Sequence, residues 1–129
     1  MVGLGVGNII VPGLWGNISV PSSSLVVFSS DGGIVNTGVI GDFVQVDVYL
    51  VVDGVVVEKS QVGIENGNFL KSGRWSFSTV ATLSAGMHTV HVDAMLSDCN
   101  AGNSSPYAFV GGTPDTATRG TLTAMVLKQ

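Results

Sequence analysis

The chain has 129 residues with 5 basic and 9 acidic side chains, a charged fraction of 11% and a formal net charge of −4, where an average soluble domain is about 25% charged. Its 22 valines, 18 glycines, 14 serines and 9 threonines favour strands and exclude a helical bundle, and the acidic balance excludes a phosphate-directed nucleic-acid binder. A mean hydropathy of +0.47 with low net charge excludes disorder, and poses a question: so few charges imply either a surface of Ser, Thr, Asn and Gly or a surface hidden against other subunits.

Residues 1–24 contain Gly3, Gly5, Gly7, Gly13 and Gly16, Pro12 and Pro21, and a Ser22-Ser23-Ser24 run, with no period-2 alternation. They read as an extended N-terminal arm ahead of a domain spanning 25–129. Ile9, Ile10, Val11, Leu14 and Trp15 are its docking residues, since each is worth about 1.5–3 kcal/mol on burial; the arm packs on its own domain or on a neighbouring subunit. The arm has no basic residue before its apolar stretch, unlike a signal peptide. No window approaches the ~20 apolar residues of a membrane helix.

Strand signals follow closely. Leu25–Ser29 and Ile34–Ile40 are apolar runs separated by Gly32-Gly33, read as a turn. Asp42–Val52 alternates, with Val44, Val46, Val48, Leu50 and Val52 on one side. Asp53-Gly54 between valine runs predicts a type I′ hairpin into Val55–Val62. Asn66-Gly67 marks a further turn. Arg74–Leu83 alternates with Trp75, Phe77, Thr79, Ala81 and Leu83 on one face, which places Trp75 in the core. Ser84-Ala85-Gly86 turns into His88–Leu96. Ser97–Thr118 reads as a long polar loop with a short apolar insert, the kind of loop that carries function or an interface. Gly120–Lys128 closes the chain. About eight strands without a helix describe an all-β antiparallel sandwich or barrel.

Little in the sequence points to chemistry. His88 and His91 stand three apart, which on a strand puts them on opposite faces and argues against a shared metal; His91 and Asp93 share a face. His88, beside the Gly86 turn, is placed to bond nearby backbone. Asp31, Asp42 and Asp53 sit beside glycines, where carboxylates bond local backbone. Only Asp47 and Asp93 have the parity for a facing carboxylate pair. Asp98, Asn100 and Asp115 lack the spacing of known calcium loops. No G-x-S-x-G is present, and Gly3-Leu4-Gly5-Val6-Gly7 lacks the strand, third glycine and helix of a nucleotide site. The lone Cys99 has no partner for an intrachain disulfide. The reading is therefore no catalytic residue, no cofactor and no metal. Trp15 and Tyr107 are the aromatics available to stack on a sugar ring, and Asn103, Tyr107 and Asp115 are candidate loop contacts.

The segment Leu83-Ser84-Ala85-Gly86-Met87-His88-Thr89-Val90-His91-Val92, followed after the loop by Arg119–Lys128, resembles the final hairpin and closing strand of C1q/TNF-like jelly-roll domains in bacteriophage tail, fibre and decoration proteins. The resemblance runs from Trp75 to the end; the upstream strands agree in number and spacing but carry no motif of it. It implies a jelly-roll sandwich of about eight strands, and a homotrimer that buries one sheet face around its axis. Phe43, Tyr49, Met95, Met125 and Leu127, of opposite parity to the core valines, are candidates for that face. The function implied is a non-enzymatic virion protein assembled in the host cytoplasm. It would act as a capsid decoration or cement protein on a major capsid protein or another virion protein. The alternative is a fibre or spike tip that binds a host receptor or glycan through 97–118, and more distantly a secreted carbohydrate-binding module. Neither nucleic acid nor membrane is an expected partner.

Overall fold

The computed structural model describes residues 2–5, 7–38, 41–67, 71–99, 108–111 and 118–127. Within them lie nine strands and no helix: β1 (Val2–Gly3), β2 (Ile9–Val20), β3 (Ser24–Asn36), β4 (Phe43–Val52), β5 (Val55–Glu65), β6 (Lys71–Leu83), β7 (Gly86–Cys99), β8 (Ala108–Val110) and β9 (Gly120–Val126). All pairings are antiparallel. The first sheet has the order β1-β8-β3-β6, with β9 also on β3; the second has the order β2-β7-β4-β5. β8 and β9 share one edge of β3, opposite Ile34–Asn36 and Val26–Gly32 respectively. The chain changes sheets at every connection except β4 to β5 and β8 to β9.

Alternation decides which side chains fill the space between the sheets. Val44, Val46, Val48 and Leu50 of β4 meet Val26, Phe28 and Ile34 of β3, Trp75 of β6, and Val90, Val92 and Ala94 of β7 in one core. The Asp53-Gly54 hairpin forms as expected, with φ of 50° and 80° at its two residues, the left-handed pair a type I′ turn demands.

Gly32-Gly33 is not a turn. β3 runs unbroken through both, opposite Trp75 and Arg74 of β6. A Cβ on Gly32 would lie 2.0 Å from two atoms of the Trp75 ring, so the glycine marks where the indole lies flat on the backbone. The facing position on β9 is also glycine, Gly120, whose Cβ would come within 3.3 Å of the same ring. Trp75 is fully buried, and its indole N–H donates to Ser30 Oγ at 3.1 Å. Two glycines that look like punctuation are the floor of the core's largest side chain.

The described residues of 1–24 pack on their own domain, one of the two expected places, but they do so as strands and not as an arm. Ile9–Val20 is a full edge strand of the second sheet, paired with β7 from Ile9↔Ala94 to Val20↔Gly86. Val11, Leu14 and Val20 enter the core, whereas Ile10 and Trp15 remain 48% and 66% exposed. The register shifts between Ile10 and Trp15, around Pro12 and the positive φ of Gly13. That irregularity breaks the period-2 pattern a strand would otherwise show. β1 pairs with β8 and brings Leu4 into the core.

The expected loop 97–118 is also partly strand. β7 continues to Cys99, and Ala108–Val110 is β8, bonded to both β1 and β3. Asn66, read as a turn residue, is buried beside Asn36. Asn36 Nδ2 donates to the carbonyls of Asp42 (3.1 Å) and Ile64 (3.0 Å), and its Oδ1 accepts from Gly38 N at 2.9 Å. Asn66 donates from its side chain to Gly38 O, and its backbone exchanges bonds with Gly41 and Asp42. This amide pair ties the β3–β4 connection to the end of β5.

Candidate functional site

Three surfaces carry the features that could engage a partner: the outer faces of the two sheets and one open edge between them. The outer face of the first sheet is graded along its strands. At one end Val27 of β3 stands between Val80 of β6 and Met125 of β9, the latter two 55% and 60% exposed. Leu25 lies next along β3, and the Leu127 N–H bonds its carbonyl. The middle is hydroxylic, with Ser29 bonded to Thr123. The far end is charged: Arg74 Nη2 meets Asp31 Oδ1 at 2.9 Å, and Thr121 Oγ1 donates to Asp31 Oδ2 at 3.1 Å. Asp31 thus sits mid-strand and pairs across strands, instead of bonding local backbone at a turn.

The outer face of the second sheet is polar. Tyr49 lies opposite Asp93 on β7 and Lys59 on β5. Asp47 is 5% exposed although it points away from the core, because Lys59, Tyr49, Ser97 and Gln61 crowd over it. Its Oδ2 receives Lys59 Nζ at 3.2 Å and the Tyr49 hydroxyl at 3.1 Å, while its buried Oδ1 accepts no hydrogen bond. Burial alone would raise the Asp47 pKa, but the bond from Lys59 and the nearby Ser97, Gln61 and Tyr49 outweigh it, so the carboxyl is held below its usual range. Burial and the neighbouring Asp47 carboxylate together push the Tyr49 hydroxyl up. The Tyr49 hydroxyl also reaches Met95 Sδ at 3.6 Å. His91 Nδ1 contacts Asp93 Oδ1 at 2.6 Å, the shared face the parity implied.

These placements divide the five residues expected on one shared face. Met125 and Leu127 lie on the first sheet, and Phe43, Tyr49 and Met95 on the second. Strand parity says only that a side chain points away from the core, and a sandwich has two such faces on opposite sides. The loop candidates Asn103, Tyr107 and Asp115 fall outside the described residues, as does Asn100 of the possible calcium set. Asp47 and Asp93 occupy diagonal positions on β4 and β7, and Asp47 is already engaged by Lys59. Among the described residues no three His, Cys, Asp or Glu side chains come together as a metal set. Cys99 ends β7, half-buried.

The two edges of the sandwich differ. Where β5 meets β6, a Cβ on Gly73 would touch Ile64 Cγ1 at 2.9 Å, so the sheets close tightly. Where β2 meets β9, a groove of about 230 Å³ opens, lined by Gly13, Trp15, Asn17, Ile18, Leu122 and Ala124 among others. No charged residue lines it, and both flanking strands leave one backbone edge unpaired among the described residues. Trp15 stands at its rim, opposite His91 on β7.

One further cluster lies at an end of the sandwich. His88 Nδ1 meets Asp53 Oδ2 at 2.6 Å and Nε2 meets the Ser84 carbonyl at 2.8 Å. The backbone contact at the Gly86 turn is therefore present. The Asp53 contact was not legible from sequence, since it joins residues 35 apart. Its only signal was an Asp at the first position of an Asp-Gly turn. No protein-family model matches this chain, and no curated protein matches it.

Proposed function

We propose that this chain is a non-enzymatic structural subunit of a virus particle: a jelly roll that assembles as a homotrimer and decorates the capsid on a major capsid protein or another virion protein. The strand order supports the jelly-roll reading. β2-β7-β4-β5 lies over β1-β8-β3-β6, with β9 also on β3, and the chain crosses between sheets at all but two of its connections, as a sandwich built from two Greek keys would. The observation that carries the assembly reading is the outward-facing row Val80–Val27–Met125, exposed at both ends and half-buried at Val27, with Leu25 and Leu127 beside it. The inner face of the same sheet already fills the core, so this second apolar surface is surplus to folding, and such patches mark interaction sites. Met125 and Leu127 remain interface residues in this reading, whereas Phe43, Tyr49 and Met95 sit in a polar setting on the opposite side. Both histidines spend ring nitrogens on contacts within the fold, which favours a structural over a catalytic role.

The test is the molar mass in solution, measured by light scattering on the eluting protein. A trimer is expected for the native chain, and for Met125→Lys and Val80→Lys a folded monomer with native circular dichroism, whose Tm is lowered by no more than the lost association accounts for. A native monomer at tens of micromolar overturns the assembly reading. Particle association is then measured by co-sedimentation of native and Met125→Lys chains with capsids lacking the protein. Deleting 1–24 is unsuited to this purpose, since it removes β1 and β2 and would unfold the domain.

The alternative, a fibre or spike tip that binds a host glycan, draws support from Trp15. An indole 66% exposed, beside the His91–Asp93 pair and the groove, offers a flat apolar surface flanked by hydrogen-bonding groups, the pairing that sugar rings select. Loss of host adsorption on Trp15→Ala, with capsid association retained, would favour the tip over decoration.

A further inference from the structure

We propose that His88 and Asp53 form a proton-dependent latch that holds two turns together at one end of the sandwich and releases them as the pH rises. The inference stands apart from the assembly reading. It rests on how the two ring nitrogens are used. Nδ1 faces a carboxylate oxygen of Asp53 at 2.6 Å and Nε2 faces the Ser84 carbonyl at 2.8 Å. Both partners are acceptors, so only an imidazolium, which donates from both nitrogens, satisfies both contacts at once. A neutral ring keeps one N–H, and its other nitrogen then presents a lone pair to an oxygen less than 3 Å away. One of the two contacts must open.

The latch spans two turns and the start of a strand. Asp53 belongs to the β4–β5 hairpin, Ser84 to the β6–β7 turn, and His88 to the start of β7. Asp53 also fastens the backbone: its Oδ1 accepts from Thr89 N at 2.9 Å, and its own N–H donates to Thr89 O at 2.9 Å. His88 is 8% exposed and points inward, in line with Val90 and Val92. Its neighbours are Asp53 from the hairpin, Ser84 from the turn and Ile18 opposite on β2; Asp53 is the one charged side chain among them. The Asp53 contact, then the Ser84 carbonyl, raise the His88 pKa against an opposing effect of burial. The same histidine, with the Thr89 amide, lowers that of Asp53.

The sign follows from these directions. A histidine whose folded pKa is raised stabilises fully below its ordinary value of 6.5, and that contribution disappears as pH rises through the folded value. Asp53, lowered, contributes above its ordinary 3.8 and ceases to as pH falls through its folded value. The latch is closed between those limits.

The experiment is a nuclear magnetic resonance titration of the His88 ring in the full chain, with amide hydrogen exchange of Thr89 and Asp53 measured across the same pH range. The His88 pKa is expected above the ordinary value. The protection factors of both amides, corrected for intrinsic exchange, should fall through that pKa by about tenfold per unit of the measured shift. In Asp53→Asn, whose Asn-Gly turn keeps the hairpin geometry, the rise in pKa and the pH-dependent loss of protection should both shrink, leaving only the smaller part due to the Ser84 carbonyl. A native His88 pKa at or below the ordinary value, or Thr89 protection that is flat through it, overturns the latch. Those two native-chain readouts decide the matter even if the variant does not fold.

Discussion

Replacing Gly32 with alanine tests the core directly. The new methyl carbon would stand 2.0 Å from Cη2 and Cζ2 of Trp75 and 2.7 Å from Cε2, so the indole must slide by more than 1 Å to restore van der Waals contact at roughly 3.5 Å. It has nowhere convenient to go. Trp75 is fully buried, Gly120 lies beside Gly32 under the same ring with Leu14 next to it, and its N–H is committed to Ser30 Oγ, which in turn donates to Thr121 O at 2.7 Å. Overpacking of this kind costs about 1–3 kcal/mol, and losing the indole bond adds about 1 kcal/mol, for a total of about 3 kcal/mol. For a chain of this size that lowers the Tm by roughly 10 °C. The assay is urea and thermal unfolding followed by circular dichroism, with Gly16→Ala as control. Gly16 has open space at its Cβ position and no positive φ, so the control should change stability by less than about 1 kcal/mol in either direction. Adding Trp75→Phe to Gly32→Ala should recover part of the loss, giving a coupling of about 1 kcal/mol or more in the double-mutant cycle. A Gly32→Ala protein within about 0.5 kcal/mol of native, or a cycle with no coupling, would refute the claim that the glycine exists to seat the indole.

The remaining predictions concern polar and backbone features. Asn36→Ala removes two donated bonds and one accepted bond in a fully buried setting, and should cost about 2–4 kcal/mol by denaturant unfolding. Gly54→Ala, at φ 80° with open space around the Cβ, should cost about 1–2 kcal/mol from backbone strain alone; no loss would show that the turn relaxes freely. Because Asp47 is held below its ordinary value of 3.8, its contribution is present above that value and vanishes as pH falls through the folded pKa. Asp47→Asn should therefore flatten, though not abolish, the acid decline in Tm between about pH 5 and pH 2, since Asp53 is also lowered. An unchanged acid limb would remove Asp47 from that account.

Where the sequence was legible, local physics was in charge. β4 announces itself because one of its faces meets a core of valines, and the Asp53-Gly54 turn because few residue pairs tolerate two left-handed conformations in succession. Trp75 is placed in the core by its parity with Phe77 and Leu83. Where the reading failed, the same residues served a partner distant in the chain. Gly32 and Gly33 have the composition of a turn, yet Gly32 is glycine because of an indole on another strand. The bulged β2 loses its alternation, so an edge strand with three core residues passes for an arm. The buried Asn36–Asn66 pair and the Asp53–His88 contact each unite residues from separate connections, which no spacing rule anticipates.

The low charge and high hydropathy noted at the outset divide along the same line. Composition by itself determined that this chain is all-β, and that its excess of apolar side chains had to be hidden somewhere, because helix propensity, charge and hydrophobicity are sums over residues. Only the tertiary structure decided where. Leu4, Val11, Leu14 and Val20 go into the chain's own core, while Val80, Val27 and Met125 are left in a row on the outside of the first sheet. Strand parity separates inside from outside, but which outer face a side chain joins depends on the sheet its strand enters, and that is set by long-range pairing.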